Sequence, residues 1–386
     1  KLVASDAAAN DLFGWRVAIS GDTAIVAAVD AGFQAGAAYV FVRSGTAWSE
    51  QAKLVAGDGA ASDNFGWSAA ISGNTAIIGA NRDDHGSTMD AGSAYVFVRA
   101  GTTWSEQAKL VGGDTGGSDL FGSSVAIDGD TAIAGAHQHS PSGTNSAGAA
   151  YVFNRSGTAW SEQTKLVASD AAASDLLGWS VAIEGDTAIA SAPSDDHSGG
   201  NNAGSAYVFA RSGSTWLERT RVVASDAAAE DQFGNGLAFS GDTALVGAQL
   251  DDHAGGPNAG SAYVLVLGVA SAPRDVELLD LDGDGDLDVA TANAGSDDVG
   301  LRANDGAGAL VSEITLALTG ADLGPTALAA GDLDNDGSRD DLAVVCEISS
   351  TLVLLTNPAS ASAGLVSLGV AGLRPSCVAV GDLDAD

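Results

Sequence analysis

The sequence predicts an all-β fold, a β-propeller of four-stranded antiparallel blades, and three observations carry that prediction. First, a phrase of about 56 residues is written five times within residues 1–270, anchored by Phe13-Gly14, Phe65-Gly66, Phe121-Gly122, Leu177-Gly178 and Phe233-Gly234. Second, each full copy holds four short apolar runs separated by Gly, Ser, Asn and Asp, the residues that make turns. Third, a unit of that size cannot bury its own apolar face and must stack on copies of itself. Sheets repeated around an axis keep only short edges, whereas a flat row of hairpins would expose long ones. Seven blades fit the repeat count, and an eight-bladed ring that has lost its last blade is the alternative.

The second copy justifies the elements in order. Strand A is expected over Trp67–Ser72, B over Thr75–Gly79, C over Ser93–Arg99 and D over Gln107–Val111. Gly73-Asn74 links A to B, and its counterparts are Gly-Asp, a two-residue loop that favours the primed hairpin turns. The C–D link carries Ser-Gly or Ala-Gly, followed by Trp48, Trp104, Trp160 or Trp216. Because strands alternate in direction, A–B and C–D links share one end of the blades, and B–C and D–A links share the other. On that second end fall all five histidines, His85, His137, His139, His197 and His253. It also receives the regular acids of the D–A links, Asp6, Asp58, Asp114, Asp170 and Asp226, with Asp11, Asp63, Asp119, Asp175 and Asp231.

After about residue 268 the text changes. Strand D of the fifth repeat is hard to place, and Ser271-Ala272-Pro273 marks a seam. Two shorter repeats open near Arg274 and Pro325, and a third begins at Pro375 and stops at Asp386. The organisation expected is one propeller over 1–386, with five repeats over 1–270, then two repeats and the start of a third over 271–386. Lys1–Val3 reads as a D strand and Cys377–Val380 as an A strand, a pair that one blade would share. The chain starts with Lys1 and shows no signal peptide, so it reads as a mature protein or an excised piece.

Composition narrows the function classes. The 386 residues are 45% hydrophobic, enough for a sizeable core, and no apolar run approaches the roughly 18 residues that cross a membrane. The net charge of −34 leaves no Lys and Arg clusters for phosphate binding, so nucleic acid is not an expected partner. A strong negative field suits solubility, high salt or divalent cations. Cys346 and Cys377 lie in no zinc spacing, and a single disulfide and two buried thiols are both open.

The strongest chemical motif is Asp280-Leu281-Asp282-Gly283-Asp284-Gly285-Asp286-Leu287-Asp288. Carboxylates at its positions 1, 3, 5 and 9 converge when glycine at position 6 permits a tight turn, and Asp286 at position 7 offers its backbone carbonyl. Hard oxygen donors in that number select Ca2+. The loop resembles the first half of an EF-hand loop, but a strand precedes it, which places the site in an A–B hairpin. The spacing recurs in Asp332, Asp334, Asp336, Ser338 and Asp340. There Asp341 falls one residue late by count, yet it aligns better with the strand that follows. Asp382, Asp384 and Asp386 begin a third loop that lacks its later ligands.

The aromatic-glycine pairs, together with Gly79-Ala80, Gly135-Ala136, Gly247-Ala248 and Ala192-Pro193, resemble FG-GAP repeats. The first copy departs from them with Ala27-Ala28, and the fourth with Leu177. The Asp-rich repeats are similar to the VCBS-type calcium-binding repeats of bacterial secreted and surface proteins. The resemblance implies a propeller of the kind found in integrin α subunits. It also implies calcium in A–B loops, partners docking at the opposite end, and an extracellular setting.

Three repeats carry Asp83-Asp84-His85, Asp195-Asp196-His197 and Asp251-Asp252-His253 in the same loop. Carboxylate and imidazole together suit metal binding or acid–base work, but a catalytic site is normally unique. Caps and cross-loop hydrogen bonds are the reading preferred here. The aromatic pairs with Trp15, Trp67 and Trp179, and the tryptophans after the C–D links, are expected to pack rather than to stack sugars. No nucleophile elbow is present. The expected function is a non-catalytic adhesion or interaction module. It would bind a protein or glycan ligand on the B–C and D–A end. The alternatives are a propeller of a secreted carbohydrate-active enzyme and a purely structural surface domain.

Overall fold

The computed structural model describes residues 1–32, 35–85, 88–241, 243–253, 256–266, 273–281, 284–285, 287–293, 298–304, 310–317, 325–333, 341–346, 351–356, 364–369, 378 and 380. They form two compact units, Lys1–Leu267 and Gly268–Asp386. Among the described residues the regular elements are strands, apart from one 3-10 turn at Pro141–Gly143.

The first unit holds five sheets. Sheet 1 is β1 (Phe13–Ser20), β2 (Thr23–Ala28), β3 (Ala37–Ser44) and β4 (Ala47–Leu54). Sheet 2 is β5 (Phe65–Ser72), β6 (Thr75–Ala80), β7 (Ser93–Ala100) and β8 (Thr103–Leu110). Sheet 3 is β9 (Ser124–Asp128), β10 (Thr131–Ala136), β11 (Ala149–Ser156) and β12 (Ala159–Leu166). Sheet 4 is β13 (Val181–Glu184), β14 (Thr187–Ala192), β15 (Ser205–Ser212) and β16 (Thr215–Val222). Sheet 5 has three strands among the described residues, β17 (Phe233–Ser240), β18 (Thr243–Ala248) and β19 (Ser261–Val266).

The second unit holds two sheets. Sheet 6 is β20 (Pro273–Leu279), β21 (Asp288–Asn293), β22 (Asp298–Asn304) and β23 (Leu310–Ala317). Sheet 7 is β24 (Pro325–Gly331), β25 (Asp341–Cys346), β26 (Thr351–Thr356) and β27 (Gly364–Gly369). Strands pair antiparallel in chain order within every sheet, as propeller blades do. The seven sheets among the described residues are compatible with seven blades. Lys1–Val3, expected as a strand, lies outside any strand, and Cys377 lies outside the described residues.

What joins one blade to the next in the first unit is backbone on backbone. The amide of Phe65 donates to Ala35 O at 3.0 Å, Phe121 to Ala91 O at 2.9 Å, Leu177 to Ala147 O at 2.8 Å and Phe233 to Ala203 O at 3.0 Å. The glycine after each acceptor must be a glycine. It has positive φ, and a Cβ at Gly92 would sit 2.1 Å from Phe121 O. The aromatic ring then turns into its own blade, where Phe121 meets Tyr151 and Phe153 edge-on at 5.5 and 6.0 Å. Phe65, Phe121, Leu177 and Phe233 are fully buried, and cores form between neighbouring sheets from their apolar strands. Each such side chain contributes roughly 1.5–3 kcal/mol of burial.

A second joint lies at the outer strands. Strand D begins at Thr103 rather than near Gln107, so Trp104 sits inside β8. The β7–β8 register slips between Val96 and Phe97, which face Ala108 and Glu106 and leave Gln107 as a bulge. Its side chain accepts a 2.9 Å hydrogen bond from Trp160 Nε1 of the following blade; Gln51 and Gln163 do the same for Trp104 and Trp216. Arg99, Arg155 and Arg211 cover these indoles at 5.2–5.4 Å and reach the threonines of the preceding blade. Trp104, Trp160 and Trp216 pack between blades, as the sequence led us to expect, whereas Trp15 and Trp179 near the start of strand A are exposed.

Phe121→Ala should destabilise the protein by roughly 3–5 kcal/mol, because a buried aromatic is replaced by a cavity. Phe13→Ala, at the half-buried first position, should have a clearly smaller effect. Urea unfolding of both variants measures the difference.

Candidate functional site

In the first unit the B–C and D–A loops come together at one end of the sheets. Blade 2 shows their wiring. Asp58, in the link entering the blade, accepts hydrogen bonds from Tyr95 Oη at 2.8 Å and Lys109 Nζ at 2.7 Å. Lys109 Nζ also lies 2.7 Å from Asp83 Oδ2, and Ser93 Oγ donates to that same oxygen at 2.5 Å. One cation therefore bridges two carboxylates from two loops. Blade 4 repeats this with Arg221 between Asp170, at 2.7 Å, and Asp195, at 3.5 Å, with Ser205 donating to Asp195. In blade 5 Tyr263 holds Asp226 and Ser261 holds Asp251. Burial pushes Asp83 up, but hydrogen bonds from His85, Lys109 and Ser93 outweigh it and hold the carboxyl at about 2.

The Asp-Asp-His loops are built for structure. Their second aspartates accept backbone amides across the loop, Asp84 from Asp90 at 2.9 Å and Asp196 from Asn202 at 2.7 Å. His85 Nε2 lies 2.6 Å from Ser93 Oγ, and His197 and His253 reach the carbonyls of Gly204 and Gly260 at 3.1 and 3.2 Å. Blade 3 differs. His139 stands where the other loops have their first aspartate, 2.7 Å from Asp119 Oδ2 and 3.4 Å from Lys165 Nζ. His137 is buried against Trp179 at 5.0 Å, and burial lowers its pKa to about 4, so it is neutral at pH 7.

The second set of D–A acids caps turns. Asp63, Asp119 and Asp175 accept the amides of Ala60, Gly116 and Ala172 at 2.5–2.6 Å. Burial raises Asp175 to about 6, and the nearby carboxylates of Asp195, Asp170 and Asp196 add to the rise.

In the second unit the acidic loops lie where the sequence put them, in the A–B hairpins between β20 and β21 and between β24 and β25. Asp280 Oδ2 accepts the Gly285 amide at 3.0 Å, and Gly285 takes the positive φ of 93° that the turn requires. Asp288 is fully buried, and its Oδ2 accepts the Leu281 amide at 2.7 Å. The next hairpin repeats the contact, with Leu333 donating to the fully buried Asp341 at 2.6 Å. Asp288 pairs with Leu279 and Asp341 with Gly331, so register makes Asp341 the counterpart of Asp288 and the second loop one residue longer. A count of nine from Asp332 reaches Asp340 instead. Asp282, Asp286, Asp334, Asp336, Ser338 and Asp340 lie outside the described residues, as do Asp382, Asp384 and Asp386.

Among the described residues no three His, Cys, Asp or Glu side chains form a metal site. What is described still fits calcium: aspartates fix both ends of a glycine turn, and the donors are hard oxygens. Cys346 is buried on β25, and Cys377, with which the sequence leaves a disulfide open, is not among the described residues. The Tyr–Lys–Asp bridge was missed in the sequence. Its signal was there, because Tyr39, Tyr95, Tyr151, Tyr207 and Tyr263 each sit at the same point of their repeat.

A family model described as the FG-GAP repeat matches residues 1–41, 48–97, 104–153, 160–209 and 216–265, and one described as an FG-GAP-like repeat matches 280–344. No curated protein matches the chain. Among the described residues no helix is long and apolar enough to cross a membrane.

The two buried acids give opposite pH signatures. Asp83, depressed, stabilises the fold above its ordinary 3.8, and that contribution is lost as pH falls towards 2. Asp175, raised, favours the fold while protonated, and the advantage is lost as pH rises from 3.8 through about 6. Asp175→Asn keeps the acceptor and removes the charge. It should leave Tm near the parent value at pH 4 and raise it by several degrees at pH 7.5, read by calorimetry.

Proposed function

The chain belongs to the FG-GAP repeat family, and on that premise we propose that it is a non-catalytic β-propeller interaction module, extracellular or cell-surface, stabilised by calcium and serving adhesion. The interaction reading rests on one observation: an invariant frame carries differing loops. The same turn hydrogen bond, to the last residue of strand B, holds Ala31, Asp83, His139, Asp195 and Asp251 at 2.9–3.4 Å. Only what projects beyond that frame changes. Rigid scaffolds with variable loops are the usual basis of binding specificity. The formal charge of −34 directs the search to protein or glycan partners rather than nucleic acid.

Calcium is proposed at Asp280, Asp282, Asp284, Asp286 and Asp288, and at Asp332, Asp334, Asp336, Ser338 and Asp340, with Asp341 beside it at the start of the strand. Support comes from the aspartates that end each hairpin loop and from the FG-GAP-like match that spans both. A cation would relieve the repulsion among carboxylates drawn to one point.

Calorimetric titration with Ca2+ should report two sites, and Tm should rise with calcium over chelator. Asp288→Asn and Asp341→Asn should each remove one. No heat and no Tm change would overturn the calcium reading. Saturable retention on a panel of extracellular proteins and glycans tests the interaction reading, and retention on none of them would reduce the protein to a spacer.

A further inference from the structure

Blade 1 departs from blades 2, 4 and 5 at one point; in blade 3 the same point carries His139 and Ala149, and the imidazole reaches Asp119 and Lys165. In blades 2, 4 and 5 the residue that follows strand B by three is an aspartate, and a serine ten residues later donates to it: Asp83 with Ser93, Asp195 with Ser205, Asp251 with Ser261. In blade 1 both members are gone together, replaced by Ala31 and Ala37. The equivalence is structural, because Ala31 makes the same two backbone bonds as Asp83. Its amide donates to Ala28 O at 3.2 Å, as Asp83 does to Ala80 O at 3.1 Å, and its carbonyl accepts from Gly36 at 2.9 Å, as Asp83 does from Gly92. The loop between them is shorter, matching the 52-residue spacing of Phe13 and Phe65 against 56 for the later repeats.

The basic partner has stayed. Lys53 still binds Asp6 at 2.6 Å and still lies over the Tyr39 ring at 5.3 Å, as Lys109 does with Asp58 and Tyr95. Its second carboxylate is missing, and a cavity of about 230 Å³ opens there, lined by Lys53, Ala31, Gly36, Ala37, Val55 and Ala56. Lys53 keeps 37% of its side chain exposed against 26% for Lys109, so its ammonium can be reached.

The geometry points to a binding pocket for a carboxylate side chain of a protein partner, an Asp or Glu that takes the place Asp83 occupies in blade 2. The occupant's chemistry is read from the sister blades, where an aspartate on a loop fills this position and is tolerated beside the first carboxylate. A single side chain suits the pocket better than a polyuronate, whose many charges would meet a body of net charge −34. The inference rests on the reading of this loop end as the contact surface and gives that surface one anchor.

The test uses the full chain and a capped aspartate, N-acetyl-aspartate N-methylamide, titrated at 0.15 M salt and followed by NMR. Saturable binding in the millimolar range is expected, with no competition from the capped asparagine. Ala31→Asp places the chain's own carboxylate in the pocket, and Lys53→Met removes the cation. Each should weaken binding at least tenfold, with unfolding midpoints confirming that the variants fold. Absence of saturation in the parent, equal binding by Ala31→Asp, or tighter binding of glucuronate than of capped aspartate would overturn the assignment. The probe needs neither calcium nor an intact partner, so its failure would leave the calcium titration untouched.

Discussion

Within the first unit everything depends on a peptide group lying against a glycine. Where Phe121 crosses the preceding blade, its carbonyl occupies the space a Cβ on Gly92 would need, and its amide bonds Ala91 O. That contact fixes the distance between blades, so every other joint must be cut to the same length. Gln107 can meet Trp160 because a bulge turns it outward at the right level. Arg155 spans from Asp130 in its own blade to Thr75 in the one before for the same reason. Close backbone approach also explains why the sequence may change Phe to Leu at 177 yet keeps Gly148 and Gly178. The ring fills volume, which leucine can do, but the glycines provide space that no side chain leaves free.

A frame fixed this way tolerates editing above it. The first repeat has lost four residues between its second and third strands, yet the Gly36 amide still reaches Ala31 O as Gly92 reaches Asp83. The loop closes on the same two bonds, so the deletion changes what stands on the frame rather than the frame itself. Replacement of an aspartate by His139 in blade 3 follows the same logic, with Asp119 and Lys165 supplying its polar contacts. Variation is thus confined to side chains and loop tips, where a binding surface can change at little expense in stability.

Much of this was legible in the residues. Period, turn residues and alternation gave the blades, the direction of each link and the A–B placement of the acidic hairpins. The start of strand D was not, because the Trp was read as part of a turn. In fact a bulge at Gln107 shifts the register by one residue, and pairing continues back to Thr103. Counting and strand alignment pointed to different acids in the second acidic loop: a nine-residue rule stops at Asp340, while Asp341 aligns with the strand, and the structure pairs Asp341 with Gly331. The bridge of Tyr95, Lys109, Asp58 and Asp83 joins residues far apart in the chain, which repetition could have flagged but only packing could connect.

The charge of the chain is handled in two ways, and the contrast bears on function. In the first unit acids are matched from within: Lys53, Lys109, Lys165 and Arg221 each hold the link entering their blade. At Asp175 burial raises the carboxyl towards neutrality and a turn amide holds it. Residues 268–386 contain no lysine and four arginines, while their hairpins gather aspartates at every second position. Amide donors from Leu281, Gly285 and Leu333 orient carboxylates of these loops. The proposal above adds a cation from outside. The proposed calcium would then serve the second unit as Lys109 serves blade 2, with the difference that its occupancy follows the medium rather than the chain. Stability of the two units would respond differently to the ionic surroundings, and only the second would register the presence of calcium.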